Sequence, residues 1–205
     1  MMRTRRLRGL PKRLAFTLLA LTTGLTLTVL SPAAFAAWDL QQLMDSLAQN
    51  KSSRATFVDT KYIALLDKPV ESSGELFYTA PDRLEKRTLK PKPESMVVNG
   101  GELLIERGRQ KYRLQLQAYP ELAAFIGSIR GTLAGDRTAL ERNYRLSLDG
   151  TAERWTLQLL PLDQKMQAVI QRIRIAGVRD QVRSIETTQA DGDSSLMTIE
   201  KSALP

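Results

Sequence analysis

The sequence predicts an α+β domain in which helices cover one side of an antiparallel sheet. Two observations carry this. Several segments alternate apolar and polar residues with period two. Tyr112, Leu114 and Leu116 oppose Arg113, Gln115 and Gln117, while Trp155, Leu157 and Leu159 oppose Arg154, Thr156 and Gln158, and Ile173 and Ile175 oppose Arg172 and Arg174. That is the pattern of a sheet with one dry face and one wet face. Two other segments repeat apolar residues at helical spacing, one before all the strands and one between two runs of them.

The first helix follows Asp39, a residue suited to the N-cap, and Leu40, Leu43, Met44 and Leu47 fall on one of its faces. Strands are expected at 55–65, 70–79, 83–90, 95–98, 102–107 and 110–117. Pro81 interrupts pairing after the second, because proline offers no amide donor to the ladder. Asn99-Gly100 tolerates the positive φ of a tight hairpin, and Gly108 marks the next turn.

Pro120 then opens a helix with an apolar stripe of Leu122, Phe125, Ile126, Ile129 and Leu133. Gly135 ends it, and 137–144 form a second helical piece. Strands return at 144–149, 152–160, 170–176, 181–189 and 194–201, with turns at Asp149-Gly150, Gly177 and Asp191-Gly192. The expected total is about ten or eleven strands and two or three helices.

The N-terminus carries a basic run (Arg3, Arg5, Arg6, Arg8, Lys12, Arg13), an apolar run from Leu14 to Leu30 and the small-residue site Ala34-Phe35-Ala36. This order is that of a secretory signal peptide over residues 1–36, cleaved after Ala36. A retained membrane anchor is the competing reading, and the Thr residues, Gly24, Pro32 and the A-x-A end favour cleavage. Cleavage leaves 169 residues as a single domain, 37–205, and removing six positive charges takes the net charge from +8 to +2. The high pI of the full chain therefore gives no reason to expect nucleic acid as a partner.

The chain has no His and no Cys. The usual general base, the thiol nucleophile and the common zinc ligands are thus missing, as is any cysteine that could be lipidated. Ser72 and Ser73 are not in a G-x-S-x-G elbow, and no S-x-x-K pair or phosphate-binding glycine loop occurs. Glu71, Glu75, Asp82 and Glu85 are read as a solvated face rather than a hydrolytic carboxylate pair. The clusters Arg83-Leu84-Glu85-Lys86-Arg87 and Arg107-Gly108-Arg109-Gln110-Lys111 are read as solvated strand edges, with docking of an anionic head group or acidic partner as the alternative. No catalytic residues, no cofactor and no metal are expected.

One stretch carries more than composition. Phe57 and Thr60 form a Phe-x-x-Thr strand, Ser73-Gly74-Glu75-Leu76 runs into Pro81, and Pro91 and Pro93 lead to the Asn99-Gly100 turn. In order and spacing this resembles the LolA family of outer-membrane lipoprotein carriers. The segments 61–69 and 81–89 are similar to a LolA-related branch that accompanies export of other amphiphiles, such as aryl-polyene or glycolipid pigments.

The resemblance implies an incomplete, strongly curved β-barrel capped by helices, with acyl chains received between them. Its implied lining is Phe57, Leu76, Tyr78, Leu84, Val97, Leu103, Ile105, Phe125, Ile126, Ile129, Trp155 and Leu157, and the helix from Glu121 to Leu133 is the implied lid. The carriers commonly place an arginine latch immediately before the proline; here that residue is Ala80, and Arg83 is the substitute candidate. The implied protein is a monomeric, periplasmic, non-enzymatic carrier of lipid or lipoprotein between an inner-membrane exporter and an outer-membrane receptor. A scaffold or docking module with a filled core is the alternative, and an accessory lipid or glycan hydrolase is a third reading.

Overall fold

A computed structural model describes residues 38–202. The expected signal segment lies outside the described residues.

Helix α1 (Leu40–Leu47) starts with a reciprocal cap: the Gln42 amide donates to Asp39 Oδ1 at 2.8 Å, and the Asp39 amide donates to Gln42 Oε1 at 3.1 Å. Two N-terminal donors are satisfied this way, which fixes where the helix begins. Strands β1 (Ser52–Tyr62), β2 (Val70–Thr79), β3 (Arg83–Lys90), β4 (Glu94–Asn99), β5 (Glu102–Arg107) and β6 (Gln110–Gln115) follow as a meander. A single 3-10 turn at Leu116–Ala118 replaces the expected end of β6. It leads into α2 (Pro120–Ala134), capped at its C-terminus by Gly135 in the left-handed conformation (φ 66°).

Then come α3 (Arg137–Glu141), β7 (Tyr144–Thr151), β8 (Arg154–Pro161), α4 (Gln164–Gln167), β9 (Ile170–Val178), β10 (Gln181–Gln189) and β11 (Ser194–Lys201). The short α4 has no counterpart in the sequence expectation. Asp163 caps it by accepting from the Lys165 and Met166 amides, a local signal too brief to register as a helical period.

Two expected turns are corrected. Gly150 lies inside β7, opposite Trp155, and the reversal comes at Ala152-Glu153. Gly177 lies inside β9, opposite Val182 and Trp155, and the turn follows at Arg179-Asp180. Both glycines permit close approach within the sheet instead of reversing the chain: a Cβ on Gly177 would fall 2.3 Å from the Trp155 ring.

The eleven strands form one antiparallel sheet, ordered β6-β5-β4-β3-β2-β1-β11-β10-β9-β8-β7. It is not closed, since β6 and β7 are its two edges. The sheet nevertheless curves, because α2 touches both halves. Ile126 packs with Val98 and Leu103 of β4 and β5, whereas Phe125 and Ile129 pack with the cluster built on β8 and β9.

The two halves are filled differently. Around β7, β8 and β9, Trp155, Leu157, Leu159, Ile173 and Ile175 join Leu43, Met44 and Leu47 of α1 and Leu140 of α3 in a buried core. Around β4 and β5, only Val98, Leu103, Leu116 and Ile126 are buried together. Among the described residues no helix is long and apolar enough to cross a membrane.

Candidate functional site

Between the filled core and the smaller cluster, beneath α2, lies a cavity of about 430 Å³. Its walls come from the inner faces of β1 to β5 and β9 to β11, and its roof is α2. The roof shows why the space is open. The side of α2 that meets α3 and the core buries Ser128, Gly131 and Thr132, and a Cβ on Gly131 would lie 2.8 Å from Leu140. The larger residues Leu122, Phe125, Ile129 and Leu133 instead face the cavity, only half-buried. In a packed interior those side chains would interdigitate with the opposite wall.

Seven of the expected lining residues stand in these walls: Leu76, Tyr78, Leu84, Leu103, Phe125, Ile126 and Ile129. The others are placed elsewhere. Trp155 and Leu157 are fully buried in the filled half, with the Trp155 indole donating to the Arg179 carbonyl at 2.8 Å. Val97 is a correction of register, since it pairs with Glu85 and Leu104 on the outer face while Met96 and Val98 line the cavity. A one-residue error on a strand exchanges the two faces. Ile105 packs within the smaller cluster. Phe57 occupies the inner face of β1 beneath Lys86, whose Nζ stands 4.6 Å from the ring centroid, and it is covered rather than lining.

The latch expectation also changes. Arg83 is exposed and donates to Glu85 at 2.9 Å on the outer face, away from α2. The arginine that ties roof to sheet is Arg130, on α2 itself, donating to the Gly100 carbonyl in the β4–β5 turn at 2.6 Å. Sequence reasoning sought this residue beside Pro81, and its place inside an apolar helical stripe was the available signal.

The basic cluster 83–87 is not a solvated edge, because β3 is paired on both sides. Alternation divides its charges. Arg83 and Arg87 flank the nearly buried Glu85 outside, and the Arg87 and Arg54 guanidinium groups both stand over the Phe77 ring, 4.6 and 5.4 Å from its centroid. Lys86 alone turns inward, where it pairs with Asp59 at 3.2 Å. In the second cluster, Arg107 pairs with Glu94 and Lys111 with Glu106.

Among the polar residues that border the cavity, one set is ordered in rows across the sheet. Thr187, Ser195 and Lys61 lie side by side in register across β10, β11 and β1. These three also line a second pocket of about 620 Å³, together with Tyr119, Glu121 and Val169, so their row marks the mouth. The next row inward is Ile185, Met197 and Asp59. Towards the other end, burial and then the Asp82 charge push the Tyr78 phenol above its ordinary value.

A family model described as outer membrane lipoprotein carrier protein LolA-like matches residues 32–203. No curated protein matches the chain in sequence. Among solved structures, the chain is similar to a LolA superfamily protein of Nitrosomonas europaea, at 11% identity over 82% of this chain and 96% of that one, with a TM-score of 0.45. It is also similar to the Pseudomonas aeruginosa MucA/MucB complex, at 18% identity over 82% of this chain and 58% of that one, TM-score 0.47. An outer membrane lipoprotein-sorting protein domain of Vibrio parahaemolyticus matches at 10% identity over 81% and 92%, TM-score 0.42. These structural likenesses are distant, and it is the sequence match across nearly the whole described domain that decides the assignment: the chain belongs to the LolA-like outer-membrane lipoprotein carrier family.

Proposed function

We propose that this protein shields the acyl part of a lipid or lipoprotein while it crosses the periplasm from an inner-membrane exporter to an outer-membrane receptor. The observation that carries the reading is the cavity of about 430 Å³ beneath α2, bordered by half-buried apolar side chains. Its size and apolar lining fall in the range of small-molecule sites. Family membership supports a lipoprotein-binding or carrier role in general, and members generally bind or carry rather than catalyse.

The physical task is a barrier problem. Each methylene exposed to water costs about 0.8 kcal/mol, so an acylated molecule leaves a membrane very slowly unless an apolar host receives it. The host must also release its load. A roof packed closely at its C-terminal end, through Gly131 on Leu140 and Gly135 on Met44 and Ala48, with half-buried side chains over the cavity and a hydrogen bond from Arg130 to the β4–β5 turn, suits that exchange. The filled-core docking alternative predicts no ligand-sized space, and the cavity stands against it. The test is organic extraction of the protein purified from its own host, followed by titration with a fluorescent fatty acid. Bound lipid and saturable uptake are expected; repeated absence of both would overturn the carrier reading.

A further inference from the structure

The cavity contains one feature that a container for plain hydrocarbon does not need. Asp59 lines it, is only 3% exposed, and has one carboxylate oxygen, Oδ1, without a partner among the described residues. Its other oxygen accepts from Lys86 Nζ at 3.2 Å, and Lys86 also lines the cavity. Lys86 comes from β3 and Asp59 from β1, so the ammonium reaches across β2 above Phe57.

As a brace between strands this pair is a poor choice. An apolar pair of similar volume serves as well in such surroundings, whereas a buried carboxylate with an open acceptor position is costly. The arrangement makes sense when that position is filled. Rotation about the terminal torsion of Asp59 exchanges its oxygens readily, and an ammonium has three donors, of which the carboxylate takes one. The pair therefore offers one acceptor and spare donors together. It is matched by a group that both donates and accepts, such as a hydroxyl or a secondary amide, and by neither a methylene nor a simple ester.

Position narrows the match further. Asp59 lies one inner-face step inside the mouth row of Thr187, Ser195 and Lys61, a distance of about 7 Å along the strand. A ligand whose anionic head stays near Lys61 would bring a group close to its head, and not its tail, to the Asp59 pair.

We propose that the cavity selects acyl chains that carry a hydroxyl or an amide near the head group, seated between the Asp59 carboxylate and the Lys86 ammonium. This rests on the carrier reading. The experiment compares tetradecanoic acid, 3-hydroxytetradecanoic acid and N-tetradecanoylglycine by calorimetric titration of the wild-type protein, the last two probes separating hydroxyl from amide. Without a polar seat, burial of the extra polar group would make the plain acid the best ligand. With one, at least one of the polar ligands binds roughly ten- to a hundred-fold more tightly than the plain acid. In the double substitution Asp59→Leu with Lys86→Met the preference is lost while the plain acid still binds. The single change Asp59→Asn, which keeps size and hydrogen bonding, retains part of it. If neither polar ligand binds the wild-type protein more tightly than the plain acid, or if the preference survives the double substitution, the seat is refuted and the carrier reading stands. Failure of every acid to bind overturns both.

Discussion

Trp155 shows how a single side chain organises its surroundings. The indole lies fully buried against Gly177 and donates to the Arg179 carbonyl in the following turn. Gly177→Ala therefore forces a methyl group into the ring, and a loss of about 1–3 kcal/mol is expected in urea unfolding. Tyr144 carries a different signature. Burial raises its phenol above the ordinary value, with a Ser128 hydrogen bond opposing the rise. The unfolded chain loses that proton near pH 10.0 while the folded protein keeps it. Above this pH the unfolded state binds fewer protons, so stability falls as pH rises; below it the group contributes no slope. Tyr144→Phe should therefore flatten the loss of stability between about pH 10 and pH 11 relative to wild type, as read from urea midpoints.

At the scale of elements, the carrier reading requires α2 to move, because it roofs the cavity. Gly127 sits inside it, with nothing within 4 Å of where a Cβ would be, so no packing contact explains a glycine there. Gly127→Ala is expected to stabilise the protein by about 0.5–1 kcal/mol and to slow ligand exchange through a stiffer roof, measured by stopped-flow release of a fluorescent fatty acid. Arg130→Ala acts in the opposite sense. It frees the Gly100 carbonyl at the cost of roughly 1 kcal/mol and speeds release in the same assay. The strands and α2 were legible because their periods are long and regular, as in β8 or in the stripe Leu122, Phe125, Ile126 and Ile129. Gly150 and Gly177 misled because the same residue that turns a chain also lets two strands and a ring approach closely. Asp59, Lys86 and Arg130 were not legible as a site, since their partners lie on β3, β1 and the β4–β5 turn, contacts that alternation along one strand does not reveal.

For the whole molecule, the sheet divides the work of stability and function between its halves. On one side Trp155, Leu157, Leu159, Ile173 and Ile175 are 0 or 1% exposed, and truncating any one to alanine costs about 2–5 kcal/mol. On the other, Leu76, Leu84, Met96 and Leu122 are half-buried against open space, so the same truncation costs less and enlarges the cavity. Such a molecule should open unevenly, because local opening follows the density of buried apolar contacts. Amide hydrogen exchange is expected to be slowest in β8 and β9 and faster in α2, β4 and β5. Filling the cavity supplies contacts chiefly to the second group, since β8 contributes no lining residue and β9 only the already buried Ile175. A bound acyl chain should therefore slow exchange most in α2, β4 and β5 and leave β8 unchanged. Ile129→Trp tests the same division from the protein side. It places a large ring in the cavity from the middle of the roof, so the fold should persist by circular dichroism while fatty-acid uptake is abolished and α2 exchanges slowly without ligand. Uniform protection across both halves on ligand binding would show that the sheet responds as one unit, and would sink the division of labour between a stabilising half and a receiving one.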